Sequence, residues 1–193
     1  TQFPAVGTAD PLLRREKNGG RDAFVLRLKN QGSQIDYSGF IGGAEDDQAN
    51  SLAVDGLGRA YVTGFSSCTG GGNCSFPTVV GPNLTRAASA DASRPSMDGF
   101  IARVKADGSS LDYAGFIGGD GYFDVGHAIA VDASGSAYVA GATDSVTGLP
   151  AAPGFRSIPS GDASNGFVAR ISASGAAVDR FTLLTGTLSG NQS

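Results

Sequence analysis

The chain has 193 residues, 14 basic and 18 acidic side chains, and a net charge of −4. This balance, without any Lys/Arg cluster, argues against a phosphate-binding surface, so we expect no nucleic-acid partner. No apolar run reaches the roughly 18 residues of a membrane-spanning helix, so no direct membrane span is expected. The 30 glycines and the near absence of helical periodicity predict an all-β fold. The chain opens at Thr1 without an initiator methionine or a signal sequence, which predicts a processed or trimmed polypeptide.

Alternation of apolar and polar residues predicts a series of short strands. In the first of them Phe24, Leu26 and Leu28 alternate with more polar neighbours. The predicted strands cover residues 24–29, 35–41, 51–54, 59–65, 98–105, 111–117, 128–131, 137–142, 166–171 and 178–184. Glycine-containing turns at 55–58 and 132–135 join successive strands, which predicts antiparallel hairpins.

The hairpins recur with a period of about 75 residues. Three motifs carry the repetition: 22–29 returns at 98–105 and 165–172, 36–43 returns at 112–119, and 52–64 returns at 129–141. Four-stranded antiparallel units in tandem are typical of a β-propeller, in which each unit is a blade. Parallel β-helices have shorter rungs, and sandwiches rarely repeat one hairpin pair so closely.

We therefore predict a single β-propeller-type domain or fragment over 1–193. Its parts are an outer half-blade (1–50), a blade (51–118) and a second blade (127–186). Closed propellers need about four to eight blades, so the ring in this chain is incomplete and its sheet edges are open. The expected partners are the remaining blades of the same protein or other subunits.

Several of these segments resemble the bacterial SBBP β-propeller repeat. They are Gly-Phe-Ile-Ala-Arg-Val at 99–104, Leu-Asp-Tyr-Ala-Gly-Phe-Ile-Gly-Gly at 111–119, Ala-Ile-Ala-Val-Asp at 128–132, Ala-Tyr-Val-Ala-Gly at 137–141 and Phe-Pro at 76–77. The resemblance implies a propeller module of a bacterial extracellular or surface protein, and it supplies no shared catalytic residues. Residues 178–186 lack the double glycine of their counterparts.

The two cysteines, Cys68 and Cys74, are separated by five residues rich in glycine. This spacing predicts a short disulfide-closed loop, which indicates a secreted, periplasmic or cell-surface location. A metal or redox pair is the alternative, but no Cys-x-x-Cys motif occurs, and the single histidine, His127, is distant in sequence.

The long connections of the predicted propeller all fall on one face. They span 42–50, 66–97, 118–127 and 143–165. Their acidic residues are weak candidates for a structural Ca²⁺ site, with solvated turn carboxylates or strand-end caps as the alternative: Glu45, Asp46, Asp47, Asp120 and Asp124. No other cofactor is expected. Tyr122, Phe123 and His127 form a candidate binding loop, and His127 is expected to be a turn hydrogen-bonding residue, with a catalytic base as the alternative.

Two further sets of polar residues recur with the repeat. We expect Asp55 and Asp132 to cap the turns that follow them. An arginine and an aspartate also recur, and an ion pair between them is conceivable: Arg27, Arg103 and Arg170 with Asp36, Asp112 and Asp179.

These features favour a non-enzymatic extracellular scaffold or interaction module in a larger assembly. It would bind protein or polysaccharide through the long-loop face or the open sheet edges. The alternative is a secreted carbohydrate hydrolase or lyase with carboxylates at the channel mouth. No nucleophile motif, phosphate loop or zinc spacing accompanies either hypothesis.

Overall fold

The computed structural model describes residues 16–70, 73–87, 93–154 and 164–185. Within them, the strands are β1 (Ala23–Lys29), β2 (Gln34–Ile41), β3 (Asp47–Val54), β4 (Ala60–Cys68), β5 (Ser96–Val104), β6 (Leu111–Ile117), β7 (Asp124–Val131), β8 (Ala137–Thr143), β9 (Asn165–Ile171) and β10 (Val178–Leu184). A short 3-10 turn at Asn30–Gly32 joins β1 to β2. The described part of the chain has no helix with the length and apolar character needed to cross a bilayer.

The strands form three antiparallel sheets in which neighbours in sequence are neighbours in space. The half-blade contains β1 and β2, the first blade runs in the order β3-β4-β5-β6, and the second blade runs in the order β7-β8-β9-β10. The first and second blades correspond in register, since Tyr61 pairs with Arg103 in one and Tyr138 with Arg170 in the other. The prediction of an all-β, incomplete propeller is confirmed.

The hairpin turns depend on aspartate and glycine at fixed positions. Asp55 Oδ1 accepts hydrogen bonds from the backbone N–H groups of Leu57 and Arg59, at 2.9 and 3.0 Å. Asp132 makes the equivalent bonds in the second blade. The turns also place Gly58 and Gly135 at φ +79° and +84°, where a side chain would strain the backbone. The predicted capping role of both aspartates is confirmed.

The core lies between the sheets as two separate layers. One layer packs the half-blade onto the first blade and includes Val25, Tyr37, Val62 and Phe100. The other packs the first blade onto the second and includes Tyr61, Ile101, Tyr113, Val139 and Phe167. Each blade therefore has a front face toward the preceding sheet and a back face toward the next one. We call each junction a seam.

Both seams repeat one aromatic contact. The ring of Tyr37, on β2, lies so close to Gly108 in the β5–β6 turn that a Cβ on this glycine would overlap it. Tyr113, on β6, lies in the same way against Gly175 in the β9–β10 turn. Both glycines have positive φ, +69° and +81°. The tyrosine of one blade thus sits on the turn glycine of the next blade.

The recurring arginines and aspartates form ion pairs across neighbouring strands. Arg103 Nε lies 2.9 Å from Asp112 Oδ2, and Arg170 Nη1 lies 2.8 Å from Asp179 Oδ2. Arg27 pairs with Asp36 in the half-blade. Arg103 also donates to the carbonyl of Ala173 in the second blade, at 2.6 Å. The conceivable ion pair is therefore confirmed, and in the first blade its arginine also crosses the seam.

The inner strands begin earlier than predicted. β3 begins at Asp47 and β7 at Asp124, four residues before the predicted starts at 51 and 128. Their first residues are polar and do not follow simple alternation, because Asp47 and Asp124 are buried through contacts described below. The last outer strand, β10, forms despite the missing double glycine.

Candidate functional site

A cleft opens on the long-loop face between the half-blade and the first blade. It has a volume of about 580 Å³ and is lined by Gly20, Arg21, Ala44, Glu45, Asp46, Phe65, Ser67, Thr69, Pro95 and Met97. The β2–β3 loop supplies the acidic side chains, and the ends of β4 and β5 supply Phe65 and Met97. The lining of the cleft therefore has a charged part, from the β2–β3 loop, and an apolar part, from β4 and β5.

The acidic residues of this charged part are held by neighbouring groups. Asp46 Oδ1 accepts from the backbone N–H of Arg21 at 2.8 Å, and Asp46 Oδ2 accepts from its guanidinium at 2.9 Å. These hydrogen bonds lower the pKa of the Asp46 carboxyl. Glu45 accepts two hydrogen bonds of 3.1 Å from the backbone N–H and hydroxyl of Thr69. Both carboxylates therefore fix the shape of the loop.

The disulfide between Cys68 and Cys74 closes the loop beside this cleft. The Cα atoms of the two cysteines are 5.7 Å apart, so the predicted short bridge is confirmed. The carbonyl of Cys74 accepts a 2.7 Å hydrogen bond from the N–H of Ala44. A Cβ on Gly43 would overlap this same carbonyl. The bridge therefore supports the β2–β3 loop as well as its own.

A pair of carboxyl groups lies at the first seam. Asp22 and Asp47 flank Gly42, where a Cβ would overlap the Asp22 carboxyl and lie 2.9 Å from Asp47 Oδ2. Asp47 accepts a 2.7 Å hydrogen bond from the N–H of Gly43, and its Oδ1 has no hydrogen-bond partner within the described residues. Burial raises the pKa of Asp47 to about 6, and the charge of Asp22 adds to the rise. A second cleft of about 350 Å³ borders this pair.

The same pair recurs at the second seam, where Asp98 and Asp124 are both buried. Asp124 Oδ2 accepts from the N–H of Gly119 at 3.0 Å and from the hydroxyl of Ser145 at 2.8 Å. Burial raises the pKa of Asp124 to about 6, and nearby Asp98 contributes. Asp98 itself pairs with the guanidinium of Arg86 at 3.0 Å. Each described seam thus holds two aspartates, one from each sheet.

The other predicted loop residues have structural partners. Asp120 accepts hydrogen bonds from the backbone N–H and the hydroxyl of Thr147. Tyr122 is half-buried with the Arg94 guanidinium 4.9 Å from its ring centroid. Phe123, also half-buried, donates its N–H to Asp144 at 2.8 Å. A binding role for the Tyr122–Phe123 loop stays a prediction.

His127 lies within β7 rather than before it, at a register irregularity, and its side chain is exposed. Its counterpart in β3 is Asn50, which lies at the matching irregularity. Asn50 donates a 2.9 Å hydrogen bond to the carbonyl of Gly126 across the seam. A side chain at this position of the first blade therefore reaches the second blade. His127 occupies the same position in the second blade.

The five carboxylates predicted as weak Ca²⁺ ligands do not meet as one group. Among the described residues, no three Asp, Glu, His or Cys side chains come together in a way that could hold a metal ion. Asp47 and Asp124 instead lie at different seams, with Asp22 and Asp98 as neighbours. A structural calcium ion stays an untested prediction without a defined site.

Comparison with known families supports the repeat assignment. A sequence profile of the SBBP family, described as a β-propeller repeat, matches residues 36–67. The chain contains an SBBP repeat. The matched segment runs from β2 through the β2–β3 loop and β3 to β4. No curated protein matches the chain.

The SBBP segment includes Asp47 but not the other polar groups described at the seams, which are Asp22, Arg86, Asp98 and Asp124. Asp22 and Asp98 were visible in the sequence as the first residues of one recurring motif. Asp22 precedes the first predicted strand and Asp98 opens the fifth, and because aspartates at such positions are mostly exposed, their burial could not be inferred. Arg86 occurs in a long connection with no counterpart in the other repeats, so no sequence signal indicated its role.

Proposed function

We propose that the chain is a non-enzymatic propeller scaffold that acts outside the reducing cytosol and binds a protein segment on its loop face. The cleft of about 580 Å³ at the first seam carries this proposal. A disulfide beside the cleft supports an oxidising location, since such bonds are rare in the cytosol.

The walls of the cleft favour a protein segment over a polysaccharide. Phe65 and Met97 form a partly buried apolar strip, and Met side chains adapt to varied apolar partners. Arg21 and Glu45 also line the cleft and offer charged groups to a backbone or a polar side chain. Sugar sites commonly use an exposed aromatic face, whereas Phe65, the aromatic residue of this lining, is only partly exposed.

One observation favours the alternative of a carbohydrate hydrolase. Asp22 and Asp47 border a cleft, and a pair of carboxyl groups with one raised pKa is the arrangement that glycoside hydrolysis uses. The same pair recurs as Asp98 and Asp124, where both side chains are buried between two sheets. A substrate has no access there, so the scaffold interpretation accounts for both pairs.

A phage-displayed random peptide library tests the proposal. Peptides selected on the wild-type chain should lose at least about tenfold in affinity, or about 1.4 kcal/mol, for Met97→Glu. Leu57→Glu, at an exposed β3–β4 turn away from the cleft, should leave affinity unchanged. Equal affinity for both variants, or no peptide enrichment, would contradict the proposal. Release of reducing ends from polysaccharides that disappears in Asp47→Asn would favour the hydrolase.

A further inference from the structure

The β2–β3 loop, which supplies part of the cleft lining, contacts the disulfide-bridged segment on both sides of the bridge. Thr69 directly follows Cys68, and its N–H and hydroxyl donate to the Glu45 carboxylate at 3.1 Å. The N–H of Ala44 donates to the carbonyl of Cys74 itself, at 2.7 Å. Ala44, Glu45 and Thr69 all line the cleft. The shape of the cleft therefore depends on the backbone at both ends of the bridge.

The contact at Cys74 is one of backbone against backbone. A Cβ on Gly43 would lie 2.2 Å from the Cys74 carbonyl oxygen and 2.9 Å from the backbone nitrogen of Phe76. No side chain fits between the two segments, because Cβ atoms do not approach other heavy atoms so closely. A rotation of the Cys74 carbonyl group therefore changes the support of the β2–β3 loop directly.

The backbone at the second cysteine has a conformation that residues with side chains disfavour. Cys74 and Ser75 have φ values of +42° and +61°. Two successive residues persist in this region only where the surrounding structure holds them there. The disulfide supplies a covalent part of that constraint, since it ties Cys74 to Cys68, which is buried in β4.

Contacts on either side confine any change at Cys74 to a short stretch of chain. The Asn73 side chain donates to the carbonyl of Leu84 at 2.6 Å and accepts from the N–H of Arg86 at 3.1 Å. Phe76 is buried and packs against Phe100, with the ring centroids 5.0 Å apart. These contacts do not involve the bridge. Opening of the disulfide should therefore leave the blades folded and change the backbone between 73 and 76.

We infer that the Cys68–Cys74 disulfide acts as a redox switch, which holds the β2–β3 loop in its binding shape when oxidised and releases the loop when reduced. The inference rests on the proposed function and adds a regulation to the same site. In the reduced chain, Cys74 and Ser75 return to negative φ, and the Cys74 carbonyl turns away from Ala44. The cleft therefore binds its partner only after the chain reaches an oxidising compartment, where the bridge forms.

The switching step is thiol–disulfide exchange with a dithiol. A thiolate of the dithiol attacks the sulfur of Cys74, the more exposed of the two cysteines, and the Cys68 sulfur leaves as a thiolate. The second thiol of the reductant then expels the Cys74 sulfur. The reductant ends as a cyclic disulfide, and the two electrons and two protons that it loses convert the bridge into two thiols. Excess oxidised dithiol reverses the reaction.

Hydrogen exchange followed by NMR tests the release of the loop without any ligand, with dithiothreitol as the reductant. After reduction, the amides of Ala44 and Thr69 should exchange at least about tenfold faster, because the hydrogen bonds that protect them are lost. The amide of Ala114 donates to the Val79 carbonyl at 2.9 Å, beyond the bridge, and should keep its rate as the internal control. Alkylation and mass spectrometry verify that both cysteines are reduced.

Peptide affinity measures the consequence for binding. A peptide selected on the oxidised chain should bind the reduced chain at least about tenfold more weakly, and its affinity should return on reoxidation. The matched control is Cys68→Ser/Cys74→Ser, which has no bridge to open. It should bind as weakly as reduced wild type and show no response to dithiothreitol.

Two outcomes would overturn the inference. The first is an unchanged exchange rate at Ala44 and Thr69, or an unchanged peptide affinity, in the fully reduced chain. The second is faster exchange throughout β5 to β10 on reduction, which would show global unfolding in place of a local switch. Failure of the oxidised chain to bind any peptide would overturn the proposed function, whereas the exchange rates still decide whether the bridge controls the loop.

Discussion

Arg86 Nη2 lies 3.0 Å from Asp98 Oδ1, and the two side chains expose only 2% and 1% of their surfaces. The same Arg86 atom also donates to the carbonyl and hydroxyl oxygens of Ser96. This ion pair ties the connection after the disulfide to the start of β5. It therefore joins the loop face to the carboxyl pair of the second seam.

Replacement of Arg86 by methionine should destabilise the chain strongly. Asp98 would lose its counter-ion while it stays buried, and such uncompensated charges cost about 3–5 kcal/mol. Chemical denaturation with urea should show this loss as a lower transition midpoint.

The double variant Arg86→Met/Asp98→Asn is the matched control. The second blade has Asn165 at the position of Asp98, so the chain itself provides a neutral precedent for this site. The double variant should recover most of the stability that Arg86→Met loses. A double variant as unstable as the single one would show that Arg86 acts through packing rather than charge.

The carboxyl pairs should make stability depend on pH. Asp47 and Asp124 have folded-state pKa values of about 6, above the usual 3.8. Between these values the folded chain binds more protons than the unfolded chain. Their contribution to the free energy of unfolding is therefore complete below the usual pKa and decreases as pH rises through about 6.

In wild type the free energy of unfolding falls as pH rises, and Asp124→Asn should make this fall smaller by on the order of 1–3 kcal/mol. The measurement is the free energy of unfolding in urea at intervals from about pH 4 to about pH 8. Asp107→Asn is the control, because the N–H and hydroxyl of Ser109 lower the pKa of Asp107, so that it titrates below this interval. Parallel pH profiles for wild type and Asp124→Asn would refute the seam effect.

The disulfide should contribute a modest part of the stability. Cys68 and Cys74 are six residues apart, and closure of so short a loop stabilises by about 2 kcal/mol in the chain-entropy account. Addition of a thiol reductant should lower the free energy of unfolding by this amount. A Cys68→Ser/Cys74→Ser variant should start at the lower value and show no response to reductant. Reductant-independent stability of the wild-type chain would contradict the prediction.

The positions of the strands were predictable from alternation, although in β1 the buried side chains are Ala23 and Val25, whereas Phe24 and Leu28 are exposed. The starts of the inner strands were not, because Asp47 and Asp124 are buried polar residues whose hydrogen-bond partners lie in neighbouring loops, as Gly43 and Gly119 do. Periodicity describes how one strand presents its side chains. It carries no information about contacts between a strand and a loop, which is also why the role of Arg86 appears only in the structure.

Glycine in the β5–β6 turn offers a direct measure of the seam contact. A methyl group on Gly108 would overlap the Tyr37 ring and would also occupy positive φ, whereas on Gly32 it would meet only the backbone strain. Gly108→Ala should therefore cost more stability than Gly32→Ala, by about 1–3 kcal/mol, the usual cost of overpacking. Urea unfolding of both variants would measure the difference. Equal losses would mean that Tyr37 moves aside freely and that the tyrosine contact does not fix the spacing of the blades.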